Sequence, residues 1–400
     1  MRIMYGPADR RNPSDLPLKL PRNNDFTDIF GYLEAHGDEP IGARAPLNEV
    51  DALIISRLAY LYFEGLVGPS YTAKVKIGDI AGTYLSLSKT DAISFLLEED
   101  FHLVTAIQNR ARFSRIKVCG YRTFFSEKEV KQFAAMTFIL PNRMAYIAFR
   151  GTDGSLSGWR EDFDIGFLGV IPSDLDALRY ARETMEALPN MKGFYIGGHS
   201  KGGNLAQYAA FKLSKRLKER IAGVYIFDAP GFRRDVFTKL DRETLSDRIF
   251  GFAPTQSVVG MILYSGVIYT PIVSRNFLLL QHDIYNWCVQ GKSLVRGRFQ
   301  SLPYAVKRMS KEFFETMDIP QLERCIDALF GAIRVERGDM RNASLDISLA
   351  RMVSMVFMLR RVPPAERKTF LKVFSTIARN MKSIVSIERD RDKLSDIRGR

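Results

Sequence analysis

A chain of 400 residues that is 46% hydrophobic and 12% aromatic carries enough apolar material for one large core or two, which excludes a disordered polymer. Lysine and arginine outnumber aspartate and glutamate by 58 to 45, a net charge of +13, and residues 291–400 alone hold 23 basic against 13 acidic side chains. Three widely spaced cysteines, Cys119, Cys288 and Cys325, exclude a disulfide framework and suit a reducing compartment.

No apolar run of the secretory type occurs in the first twenty residues, so a cytoplasmic location is expected. Residues 1–47 are rich in Pro, Asp, Asn and Gly and are expected to form an irregular leader. Asn48 stands where a cap belongs, ahead of an apolar-periodic helix over 52–67. One or two further helices are predicted over 91–111. The texture changes near 116, where 116–118 and 132–140 show strand character. Pro141-Asn142-Arg143 supplies a turn, and 144–149 returns as a strand, which predicts an antiparallel pair.

A helix over 172–188 comes next, followed by an apolar strand from Phe194, a helix from Leu205, and strands over 221–227 and 248–252. Such alternation predicts an α/β fold with a mostly parallel sheet and helices on both faces. Residues 257–274 approach a membrane span, but Gly260, Gly266 and Pro271 interrupt them and they fall short of about 20 residues. They are expected to be buried strand and loop. Beyond 291 only helical periodicity remains, over 307–316, 321–335, 345–360 and 364–387. Three parts are therefore expected: a leader at 1–47, a core at 48–290 and a basic helical region at 291–400.

One stretch organises the chemistry. The apolar run Phe194-Tyr195-Ile196 ends in Gly197-Gly198-His199-Ser200-Lys201-Gly202-Gly203, and helix-period residues follow from Leu205. A bare G-x-S-x-G arises by chance about 0.15 times in a chain of this composition. The strand before it and the helix after it are what identify a nucleophile elbow, with Ser200 at the corner. A Gly-rich turn that binds phosphate is the alternative.

A serine hydroxyl needs a base. The chain has four histidines, and His36, His102 and His199 lie before or inside the elbow. Only His282 falls downstream, where the order Ser, acid, His requires it. Asp228 follows the strand over 221–227 and leads as the acid, with Asp283, adjacent to the base, second. The backbone N–H of Lys201 and the N–H or hydroxyl of Thr152, in the loop after the strand over 144–149, are the candidate oxyanion donors. Trp159 and Asp162 stand where they can buttress that loop. Such a site needs no metal and no organic cofactor.

Phe149-Arg150-Gly151-Thr152, followed by Gly198-His199-Ser200-Lys201-Gly202-Gly203-Asn204, resembles the class 3 lipase-like α/β-hydrolases. Asn48-Glu49-Val50-Asp51, Gly158-Trp159-Arg160-Glu161-Asp162-Phe163, Phe227-Asp228-Ala229-Pro230-Gly231-Phe232, Val259-Gly260-Met261 and Leu280-Gln281-His282-Asp283 extend the resemblance to an uncharacterised bacterial branch of that group, over about 48–290. The resemblance implies an α/β-hydrolase fold with Ser200 as nucleophile and His282 as base. In class 3 lipases the acid follows the next strand, which here ends near Gln256-Ser257, so either the acid has moved to Asp228 or the triad is incomplete.

The expected function is a serine hydrolase of carboxylic esters, lipase- or esterase-like, with an ester or lipid-like substrate. The alternative is a hydrolase-fold scaffold that binds partners through the basic helices. Those helices also suit peripheral contact with anionic membrane, whereas nucleic acid is not an expected partner.

Overall fold

Among the described residues, eight strands form one sheet in which chain order and spatial order coincide. A computed structural model describes residues 26–87, 98–126, 131–152 and 156–316, with the single positions 320 and 364. The N-terminal part is mainly helical: α1 (Ile29–His36), α2 (Glu49–Leu58), the short strand β1 (Val75–Lys76), then α3 (Ile77–Leu87), α4 (Glu98–Gln108) and α5 (Ala111–Ser114). Strands β2 (Lys117–Ser126), β3 (Lys131–Ile139) and β4 (Met144–Phe149) follow. Next come α6 (Leu156–Phe167), α7 (Pro172–Ala187), β5 (Gly193–His199), α8 (Lys201–Lys212), α9 (Lys215–Lys218) and β6 (Ile221–Phe227). The described chain ends through α10 (Arg234–Phe237), β7 (Ile249–Pro254), β8 (Tyr269–Ile272), the paired β9 (Val289–Gln290) and β10 (Ser293–Leu294), and α11 (Ser301–Thr316).

The pairings from β1 to β4 are antiparallel and those from β4 to β8 are parallel. Right-handed crossovers between parallel strands laid down side by side send every connecting helix to the same face. The two cores follow that rule. Ala145, Ile147 and Phe149 of β4 pack with residues of α7 and α8 in one cluster. Tyr146 and Ala148, one step along the pleat, belong to the other cluster, with Ile29 and Leu33 of α1 and Leu53 and Ile54 of α2. The second sheet face is therefore covered by N-terminal helices.

Residues 29–36 correct the expectation of an irregular leader. Asp28 caps α1 by accepting from the N–H groups of Phe30 and Gly31, and Ile29, Tyr32 and Leu33 are buried. Asn48 caps α2 as expected, within a capping box closed by Asp51. Buried Asp51 also accepts from Tyr32 (2.7 Å) and from both Nε (2.6 Å) and Nη2 of Arg112, which joins α1, α2 and α5. The strand expected at 116–118 runs on to Ser126. A register shift between Cys119 and Arg122, with Gly120 at φ +65°, breaks the alternation that would have revealed it.

Residues 257–274 form turn and strand, with Ile272 and Met261 buried. Of the helices expected beyond 291, α11 packs through Leu302 and Ala305 against Val258. Those expected over 321–335, 345–360 and 364–387 lie outside the described residues. No helix among the described residues is long and apolar enough to cross a membrane.

Candidate active site

The apolar strand β5 stops at His199 and α8 starts at Lys201, so Ser200 carries the whole reversal. Its backbone is left-handed (φ 56°, ψ −132°), a conformation that costs a non-glycine residue on the order of 1–3 kcal/mol. The bend closes because Gly202 has no side chain: a Cβ there would lie 2.2 Å from the Phe149 carbonyl oxygen and 3.0 Å from the Gly151 nitrogen. The elbow and the loop after β4 are thereby held in contact. Ser200 N–H bonds the Phe227 carbonyl at 3.0 Å, which sets the serine beside the end of β6.

Asp228 is the next residue along β6 and is also left-handed, at φ 42°. Its N–H bonds the Phe252 carbonyl of β7, while Asn204 of α8 donates to the carbonyls of Pro230 and Gly231. Tyr269 of β8 donates to the Ala229 carbonyl at 2.7 Å. Asp228 is 1% exposed. Its Oδ1 accepts from Ser257 Oγ (2.5 Å) and from the Gly260 N–H (3.0 Å). Its Oδ2 lies 2.7 Å from Nδ1 of His282.

His282 closes a 3-10 turn over Leu278–His282. Gln281 anchors the turn by accepting from the Gln256 N–H (2.9 Å) and donating to the Asn276 carbonyl (2.7 Å). Trp287 Nε1 donates to the Gln281 carbonyl at 2.8 Å. The turn sits against the elbow: His199 Nε2 is 2.9 Å from the His282 carbonyl oxygen, and the two rings are 4.4 Å apart. Asp283, the second candidate acid, faces the other way. Its carboxylate accepts from the Tyr285 N–H and from Asn286 Nδ2, capping the turn that follows.

The Thr152 hydroxyl donates to the Asp162 carboxylate, 2.7 and 2.6 Å from its two oxygens. Lys201 opens α8, so its N–H has no acceptor within the helix and points out from the helix terminus beside Ser200. Its side chain runs inward, 1% exposed, and Nζ donates to Glu161 Oε2 (2.6 Å) and to the Gln132 carbonyl (2.9 Å). Glu161 Oε2 also accepts from the Gln132 N–H at 3.0 Å, and its Oε1 from Ser173. Asp162 is thus flanked by an ion pair that locks α6 to the elbow.

Burial raises the Asp162 carboxyl to about 6, against the opposing pull of Lys201 and of the Thr152 hydroxyl. Between an unfolded value near 3.8 and about 6 the folded protein holds a proton that the unfolded chain releases, so this group lowers stability as pH rises through that window. Asp162→Asn is expected to be more stable than wild type at pH 7, an advantage that disappears near pH 4. Urea midpoints for both proteins at several pH values measure it, and a difference independent of pH would contradict the assignment.

The structure brings Ser200, Asp228, His282, Thr152 and Lys201 to one edge, at the C-terminal ends of the parallel strands. Sequence reasoning placed His199 inside the elbow without a role there, and did not single out Ser257, Gly260 or Tyr60 as parts of this edge. Ser257 stands where the resemblance put an acid, and its hydroxyl hydrogen-bonds the carboxylate of Asp228 instead. A separate cleft of about 580 Å³ opens between the 64–69 loop, β2, β3 and α7, and none of those five residues lines it.

Residues 107–331, more than half of the chain, match the model of the Mbeg1-like family. Among solved structures, the crystal structure of M37 lipase aligns with 80% of this chain and 95% of its own, at 16% identity and a TM-score of 0.36. No curated protein matches the sequence. By the match over 107–331, the chain belongs to the Mbeg1-like family, which is lipase class 3-like.

Proposed function

We propose that the protein is a serine hydrolase of carboxylic esters in which Ser200 is the nucleophile, His282 the general base and Asp228 the acid. The observation that carries this reading is the 2.7 Å contact between Asp228 and His282, next to a serine held in a left-handed corner. The His282 Nδ1–H donates to the carboxylate, which leaves Nε2 with a lone pair for the Ser200 proton. Ser200 Oγ attacks the acyl carbon as His282 takes that proton. The carbonyl oxygen gains charge and is met by the N–H groups of Thr152 and Lys201, each donor being worth about 2.7–4 kcal/mol in such sites. His282 then gives its proton to the departing alkoxide, and water, activated by the same base, releases the acid.

Phe277 and Leu280, 62% and 54% exposed, flank the turn that carries His282. They favour substrates with an apolar acyl or alcohol portion. The scaffold alternative turns on a basic region that lies largely outside the described residues.

A fluorophosphonate probe tests the reading. Rapid modification of the wild type at Ser200, abolished in Ser200→Ala, is the expected result; a folded wild type that stays unlabelled would reject it. Gly260→Ala is a finer check. A Cβ there would meet Asp228 Oδ1 at 2.6 Å and Ser257 Oγ at 3.0 Å, so the carboxylate must move away from His282. Labelling is expected to slow roughly 10- to 100-fold, as for other small misplacements of a catalytic group. A wild-type rate in this variant would mean that the placement of Asp228 is not critical.

A further inference from the structure

We propose that Tyr60 and His199 form a hydrogen-bonded relay that positions His282, so that N-terminal helices outside the family-matched span are a working part of the site. The proposal rests on the reading of Ser200, His282 and Asp228 as a hydrolytic centre. Tyr60 lies just beyond α2, at a position the family match over 107–331 does not reach.

The atoms dictate the direction of each bond. A carbonyl oxygen only accepts, so the 2.9 Å contact between His199 Nε2 and the His282 carbonyl requires a proton on Nε2. Burial pushes His199 well below the usual imidazole range, and the ring is neutral with a lone pair on Nδ1. Tyr60 Oη has one proton and two acceptors in reach, Nδ1 at 3.1 Å and the His199 carbonyl at 3.2 Å. Tyr60 therefore supports the tautomer, set by the His282 carbonyl, that lets His199 hold the backbone of residue 282. The Tyr60 hydroxyl is in turn fixed from behind. The Arg57 guanidinium lies 4.5 Å over the Tyr60 ring and is clamped by Asp100 at 2.7 and 2.6 Å. Asp100 also accepts from Tyr285 at 2.7 Å, three residues after the base.

The turn carrying His282 is anchored to the same strand end as Ser200, so the distance between nucleophile and base does not depend on the turn alone. His199 and Tyr60 touch no reacting atom in this scheme and are positioning residues.

The test compares wild type, His199→Phe, His199→Gln and Tyr60→Phe. His199→Phe keeps the buried ring and loses both hydrogen bonds. Gln places an amide N–H where Nε2–H was. The readouts are the fluorophosphonate labelling rate, thermal melting as a control for folding, and the ¹⁵N imidazole signature of His199. His199→Phe is expected to label roughly 10- to 100-fold more slowly, with His199→Gln recovering most of the rate. Wild type should show the Nε2–H tautomer, and Tyr60→Phe a mixture. A folded His199→Phe labelled at the wild-type rate would overturn the relay. So would equal slowing of the Phe and Gln variants, which indicates packing alone, or an Nδ1–H tautomer in wild type. An unlabelled wild type would instead remove the hydrolase reading and the catalytic role of the relay with it, while the tautomer would still report whether the bonds exist.

Discussion

Asp228→Asn is expected to slow ester hydrolysis on the order of 10⁴-fold while leaving the fold intact. The size of the effect follows from how the carboxylate is held. Oδ1 faces the Gly260 N–H at 3.0 Å, and an N–H only donates, so the amide oxygen of an asparagine must occupy that place. The amide nitrogen is then left facing His282 Nδ1, across the 2.7 Å contact now made by Oδ2. Two donors cannot share that contact, and His282 switches to the tautomer with its proton on Nε2. That form has no lone pair for the Ser200 hydroxyl. The comparison variant is Asp283→Asn, in which the lost interactions are those of a turn cap, worth about 1 kcal/mol of stability with little change in rate. Turnover of p-nitrophenyl butyrate and urea unfolding of both variants measure the contrast. A rate for Asp228→Asn within tenfold of wild type would remove Asp228 from the mechanism.

The elbow was legible because its constraints are local. A strand, two flanking glycines and a helix within a dozen residues are all that a left-handed serine needs, and each leaves a mark in the chain. His282 was found by elimination among four histidines. Asp228 was found because a carboxylate directly after an apolar run stands at a strand end. What escaped was set by contacts distant in sequence. Ser257 was noted only as a place where a carboxylate was absent, since nothing local tells whether a serine reaches 29 positions back to a carboxylate. The contact of Tyr60 with His199 was hidden for the same reason, the two being 139 residues apart. In the fold, α1 was missed because eight residues give too few periods to stand out among Pro, Asn and Asp. The bulge at Gly120 concealed most of β2.

Lys201 shows the division within a single residue, and it carries the second large prediction. Its backbone N–H was readable from its place after the serine; the fate of its side chain was not. Lys201 Nζ and Glu161 Oε2 meet at 2.6 Å with both side chains fully buried. Glu161→Gln removes the counter-charge in direct contact and leaves the ammonium hydrogen-bonded to the Gln132 carbonyl and a neutral amide, which is expected to cost about 3–5 kcal/mol. Lys201→Met should cost less, because Glu161 retains the Gln132 N–H and Ser173 as donors. The double variant Glu161→Gln/Lys201→Met should recover part of the loss of Glu161→Gln, since a neutral amide beside a thioether no longer strands a charge. Urea unfolding of the four proteins closes the cycle and isolates the pair. Because Glu161 precedes Asp162, which takes the Thr152 hydroxyl, loosening α6 should also reduce labelling of Ser200 in the folded fraction of Glu161→Gln. A loss below about 1 kcal/mol in Glu161→Gln would mean that water or a shifted backbone reaches the ammonium, and that the pair does not tie α6 to the elbow.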